Sequence, residues 1–125
     1  MKPLIKNFIY TILFMAITFD LLSCLKLKQI YINSDDESKF MDAIEESNIN
    51  GAIIYINTTV INVNGAINMT GDLRGSIYGL RQENGYPRIH FVNKDGSNSG
   101  INIYGINKDL QYVIVENANG NGISI

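Results

Sequence analysis

Short apolar alternations separated by turn residues recur from Gly51 onward, and one stretch before them has helical spacing. Ile54-Tyr55-Ile56, Ile77-Tyr78-Gly79, Ile101-Asn102-Ile103 and Ile123-Ser124-Ile125 follow one another at steps of 23, 24 and 22 residues. A second series interleaves with the first: Ile67-Asn68-Met69, Ile89-His90-Phe91 and Val113-Ile114-Val115, at steps of 22 and 24. In each triplet the outer residues point to one face and the middle residue to the other. Ile54, Ile56, Ile101, Ile103, Ile123 and Ile125 are therefore expected inside, with Tyr55, Asn102 and Ser124 outside. A unit of this length cannot bury its apolar face alone, but stacked units can. The pattern predicts an all-β, right-handed parallel β-helix of about three coils with a period of 22–24 residues. Leucine-rich repeats share the period but need a leucine framework, and only Leu73, Leu80 and Leu110 follow Leu27. An antiparallel β-sandwich is the stronger rival.

Gln29-Ile30-Tyr31-Ile32 reads as a first strand. Ser34-Asp35-Asp36-Glu37 then has the form of a capping box, with Ser34 as N-cap and Glu37 three residues on. Phe40, Met41 and Ile44 make one apolar stripe, so a helix is expected over Asp35–Ser47, ended by Asn48 to Gly51. This amphipathic helix is assigned to cover the open N-terminal end of the coils, where strand edges are otherwise unpaired. Asp42, Glu45 and Glu46 read as its solvated face rather than a cation site.

The chain opens differently. Lys2 and Lys6 precede an apolar run from Phe8 to Phe19, then Asp20 and Leu21-Leu22-Ser23-Cys24. A basic start followed by about a dozen apolar residues is the form of a secretory signal peptide, too short for a membrane span of about 20 residues. Residues 1–24 are thus expected to be a signal peptide and 25–125 the coils of a secreted protein. Leu21-Leu22-Ser23-Cys24 also resembles a lipobox, so lipid anchoring at Cys24 is the alternative; without it no membrane contact is expected after cleavage.

Composition adds limits. A net charge of -2 over 125 residues supplies no basic field for nucleic acid. Cys24 is the only cysteine, which leaves no internal disulfide. The sole histidine, His90, is too far along the chain to mark a cysteine–histidine pair.

Gly51-Ala52-Ile53-Ile54-Tyr55-Ile56-Asn57 and Tyr86-Pro87-Arg88-Ile89-His90-Phe91 resemble the opening coils of pectate lyases. Ser99-Gly100-Ile101-Asn102-Ile103, Tyr112 to Ala118 and Asn121-Gly122-Ile123-Ser124-Ile125 continue the likeness. It is closest to the family nine polysaccharide lyases and spans roughly Ile30 to Ile125. The resemblance implies β-elimination of pectin or polygalacturonate, with calcium held by aspartates and a lysine or arginine as base. In that family those residues lie on later coils, and no position here matches them. No catalytic, cofactor-binding or metal residue is therefore assigned, and the chain by itself is expected to be inactive. A non-catalytic β-helix, an adhesin or a carbohydrate-binding solenoid, is the competing class. The strand-like ending Ile123-Ser124-Ile125 further predicts an unfinished domain of poor solubility.

The remaining polar residues give no clear substitute site. Asp72, Asp95, Asp109 and Glu116 stand apart in or near turns, whereas calcium needs six to eight converging oxygens. Arg74, Arg81 and Arg88 are candidate uronate contacts, each more simply read as solvated. His90, between Ile89 and Phe91, should point outward. Asn117 is expected in an internal amide ladder at a corner.

Overall fold

The computed structural model describes residues 27–92, 100–118 and 122–125. Residues 1–24, where a signal peptide is expected, with Cys24 among them, and Asp95 lie outside the described residues. The elements in chain order are β1 (Lys28–Ile32), α1 (Glu37–Asn50), β2 (Ala52–Ile56), β3 (Val60–Val63), β4 (Ala66–Met69), β5 (Gly75–Gly79), β6 (Arg88–Phe91), β7 (Gly100–Ile103), β8 (Lys108–Gln111), β9 (Ile114–Glu116) and β10 (Ile123–Ser124).

The strands form three sheets: β1-β2-β5-β8, β3-β6-β9 and β4-β7-β10. Every pairing between these strands is parallel. Beginning at β2, the chain visits the first, second and third sheets in turn, then repeats that rotation twice. Parallel pairing throughout removes the antiparallel sandwich.

Alternation fixes the inside. Ile54, Ile56, Ile61, Val63, Ile67, Met69, Ile77, Ile89, Phe91 and Ile101 form one buried core with Ile32 and the helix residues Phe40, Ala43 and Ile44. Ile30, Ile54, Ile77 and Leu110 make one inward column across four strands. Branched side chains repeat on neighbouring strands because each sits in the same pleat position. Tyr55 and Asn102 are half-buried and Ser124 is exposed, as their outward places require.

The repeat is less regular than the sequence pattern predicts. Register partners lie 24 residues apart from β1 to β2 and 23 from β2 to β5, but 33 from Gly75 to Lys108. The second sheet steps by 28 and 26, and the third by 34 and 22. Ile54 does align with Ile77, and Ile101 with Ile123. Ile77, however, aligns with Leu110 rather than Ile101, whose other partner is Ile67. Ile89 likewise lies between Ile61 and Val115, not between Ile67 and Val113. The physical reason is that strands of all three sheets share one apolar-polar-apolar signature. A constant step therefore jumps between sheets wherever a connection lengthens, as it does over residues 80–87 and 92–99.

The helix is also displaced from its expected span. Its N-cap is Asp36, not Ser34: Asp36 Oδ1 accepts the Lys39 N–H at 3.1 Å. The Ser34 carbonyl instead accepts the Asp36 N–H in a preceding turn. The helix runs to Asn50 rather than Ser47, and Gly51 closes it at φ 78°, donating its N–H to the Ser47 carbonyl at 3.0 Å. That left-handed conformation suits glycine because it has no Cβ.

Candidate functional site

Three outward faces carry the polar and aromatic side chains, and the parallel register turns each into a column. On the first sheet Tyr31, Tyr55, Tyr78 and Gln111 are register partners. Tyr31 and Tyr55 stack with centroids 4.9 Å apart, and Tyr55 and Tyr78 follow at 6.0 Å. The Tyr78 hydroxyl donates to Asp109 Oδ2 at 2.6 Å, and Gln111 Nε2 donates to the same carboxylate. The Tyr78 bond, followed by that from Gln111, holds the Asp109 carboxyl below its ordinary value of 3.8. Arg74 adds a smaller favourable charge. Lys108 donates to the Leu73 carbonyl at 2.7 Å, and burial lowers its ammonium below its usual range, partly opposed by Asp72.

The second sheet places Asn62, His90 and Glu116 in register. His90 Nδ1 lies 3.0 Å from Glu116 Oε1, and Arg88 reaches Glu116 Oε2 at 3.4 Å. A carboxylate against one imidazole nitrogen orients the ring, which is the supporting half of an acid–base pair. Glu116 and His90 are separated by 26 residues in sequence, so their meeting depends on the coil length rather than on any local motif. His90 does point outward, as expected, and remains half-buried.

On the third sheet the Asn102 amide donates to Asn68 Oδ1 at 3.0 Å, and the Asn48 amide donates to the Asn68 carbonyl at 2.9 Å. Two adjoining open grooves run over this face, with volumes of about 340 and 290 Å³. They share Ala66 and Asn68; Thr70, Asn102 and Tyr104 line one, and Asp42, Glu45 and Asn48 the other.

The other candidates are spread over the surface. Arg81 lies over the Tyr86 ring, 5.9 Å from its centroid. Asn117 does not join an amide ladder: its Nδ2 donates to the Phe91 carbonyl, and its backbone is left-handed at φ 60°. Amide-to-amide bonds occur elsewhere: from Asn102 to Asn68 on the third sheet, and past the strand ends from Asn57 to Asn33 and from Gln82 to Asn57. Among the described residues, no three His, Cys, Asp or Glu side chains are grouped to hold a metal ion. Among them too, no helix is long and apolar enough to cross a membrane.

One feature gave no signal in sequence. Tyr112 sits in the left-handed region at φ 61° and stacks on Tyr86 at 5.7 Å. Such a backbone costs a bulky residue roughly 1–2 kcal/mol, because its Cβ crowds the following carbonyl. Gly79 faces this bend, where any Cβ would run into the Tyr112 carbonyl oxygen.

Comparison with protein-family models, curated proteins and solved structures finds no match.

Proposed function

We propose that residues 25–125 are the N-terminal coils of a right-handed parallel β-helix in an exported, pectate lyase-like protein that acts on acidic polysaccharide. The observation that carries the architecture is the repeated rotation through three in-register parallel sheets. Right-handed winding follows from the sterics of parallel crossover connections, which take that hand in about 98% of cases. The helix α1 serves as the N-terminal cap. Polysaccharide as substrate rests on the sequence likeness of Gly51–Asn57 and Tyr86–Phe91 to lyase coils. In this reading calcium and the catalytic base are supplied by other coils, and these form the wall that positions them.

A second reading is a carbohydrate-binding solenoid without catalysis. It is favoured by the outward carboxylates of β8 and β9, which are both committed to neighbours: Asp109 to Tyr78 and Gln111, Glu116 to His90 and Arg88.

The deciding experiment expresses the whole open reading frame through its stop codon and supplies polygalacturonate with calcium at alkaline pH. Growth of ultraviolet absorbance from unsaturated uronides is the outcome expected of the lyase. Retention on immobilised polygalacturonate without product would transfer the case to the binding solenoid. Neither product nor retention would overturn both.

A further inference from the structure

The third coil bends at three places through left-handed residues: Asn107 at φ 59°, Tyr112 at φ 61° and Asn117 at φ 60°. Asparagine is an ordinary occupant of that conformation, because its short side chain bonds locally. At Asn107 the amide does so, donating to the Asp72 carbonyl at 3.0 Å, and at Asn117 it reaches the Phe91 carbonyl. Tyrosine has no such compensation. The same bend is thus made twice by the residue that favours it and once by a residue that resists it.

The Tyr112 backbone packs against Gly79, but burial of the side chain does not account for a tyrosine at this bend. Tyr112 is 57% exposed and Tyr86, against which it stacks, is 43% exposed. Arg81 stands over the Tyr86 ring, and among the described residues its guanidinium makes no hydrogen bond or ion pair. Arg88, by contrast, is taken up by Glu116. Three exposed side chains therefore collect on the connections β5–β6 and β8–β9: two stacked aromatic rings and a guanidinium that lies against one of them with no carboxylate partner among the described residues. A backbone held out of its preferred region at an exposed aromatic is an observation that points toward function.

We infer that Arg81, Tyr86 and Tyr112 form a binding platform for a carboxylated sugar ring. The inference rests on the polysaccharide reading above and adds the residues and the charge that would select the ring. The apolar face of a pyranose lies on exposed tyrosine, and the guanidinium donates to a carboxylate through its planar fork. An anion is favoured over a neutral sugar because Arg81, among the described residues, has no carboxylate against it. Nucleic acid is the poorer match, since a chain of net charge -2 has no field to neutralise successive phosphates.

Tyr112→Asn separates structure from binding, because asparagine keeps the bend and removes the ring. The full open reading frame is titrated with oligogalacturonate and, in parallel, with an uncharged glucose oligomer of equal length. Wild type is expected to bind the uronate and not the glucose oligomer. Tyr112→Asn should weaken uronate binding at least tenfold while melting at the same or a higher temperature. Arg81→Gln should weaken it similarly and leave the melting temperature unchanged. A Tyr112→Asn protein that binds as wild type overturns the platform while leaving the polysaccharide reading intact. Loss of binding together with a lower melting temperature assigns the stack to structure and also overturns it. Equal binding of both oligomers by wild type removes the role of Arg81. Uronide release by a wild type whose Tyr112→Asn variant is unimpaired would likewise keep the reading and reject the platform.

Discussion

The helix-covered end of the coils and the third coil solve the same problem in different ways. At the first end, neither β3 nor β4 has a preceding strand in its sheet among the described residues, and side chains from around α1 stand in for one along β3 and just past β4. Asp35 accepts the Asn62 N–H at 2.8 Å, Glu37 accepts the Asn64 N–H at 3.2 Å and Asn48 Oδ1 accepts the Thr70 N–H at 3.0 Å. Phe40, Ala43 and Ile44 then close the core above the strands. Asp35 and Glu37, which the sequence places in a capping box at the head of a helix, here serve as acceptors for a strand edge. In the third coil, β8, β9 and β10 pair on one side only, and their inward residues Leu110 and Val115 are half-buried. Ile123 and Ile125, expected inside from the triplet pattern, are 41% and 98% exposed, because among the described residues no further strand covers them. A stacked coil is therefore only as stable as the layer on each side of it, because burial of the inward face requires both.

The largest expected effect tests that contrast directly. Phe40→Ala should destabilise the protein by about 3–5 kcal/mol, since the ring is fully buried and leaves a cavity. Leu110→Ala, also inward but half-buried, should cost only about 1–2 kcal/mol. Urea unfolding of both variants measures the difference, and equal losses would mean that the two ends are equally packed.

Next in size is the strand edge. Removing both acceptors in Asp35→Ala/Glu37→Ala should cost about 1–3 kcal/mol, a few charge-assisted bonds discounted for solvent. Amide exchange at Asn62 and Asn64 should quicken, while exchange at His90, one strand further in, stays slow. Unchanged exchange at Asn62 and Asn64 would show that solvent replaces the carboxylates without loss.

The smallest effect belongs to Asp109 in the third coil. Its folded carboxyl sits below its ordinary value, chiefly through the Tyr78 hydroxyl. A depressed carboxylate stabilises the fold above the unfolded value near 3.8 and loses that contribution as pH falls through the lower folded value. Asp109→Asn should flatten the acid limb of a stability profile below about pH 4, slightly, because the group is largely solvated. An acid limb unchanged by the substitution would remove the Tyr78 bond as a contributor.

Much of this was legible along the chain. The triplets marked seven of the ten strands and the run Gln29–Ile32 marked β1, but β3 and β8 were not expected; the Phe40-Met41-Ile44 stripe marked the helix, and the outward places of Tyr55, His90 and Asn102 followed from alternation. The Ile54–Ile77 and Ile101–Ile123 steps even gave correct register. These features are local, set by side-chain period and turn chemistry within a few residues. Which strands stack on which was not local. Ile77 meets Leu110 and Ile67 meets Ile101 only because the connections in between have the lengths they do, and identical triplets carry no sheet label. The pairing of His90 with Glu116, the stack of Tyr112 on Tyr86 and the carboxylates of Asp35 and Glu37 at β3 share that dependence. The sequence by itself determined most of the strands, the presence of the helix and the inward or outward sense of each triplet, because those follow from the geometry of a single segment. The tertiary structure alone decided the register and every cross-coil contact, because each depends on the summed length of a whole turn of chain.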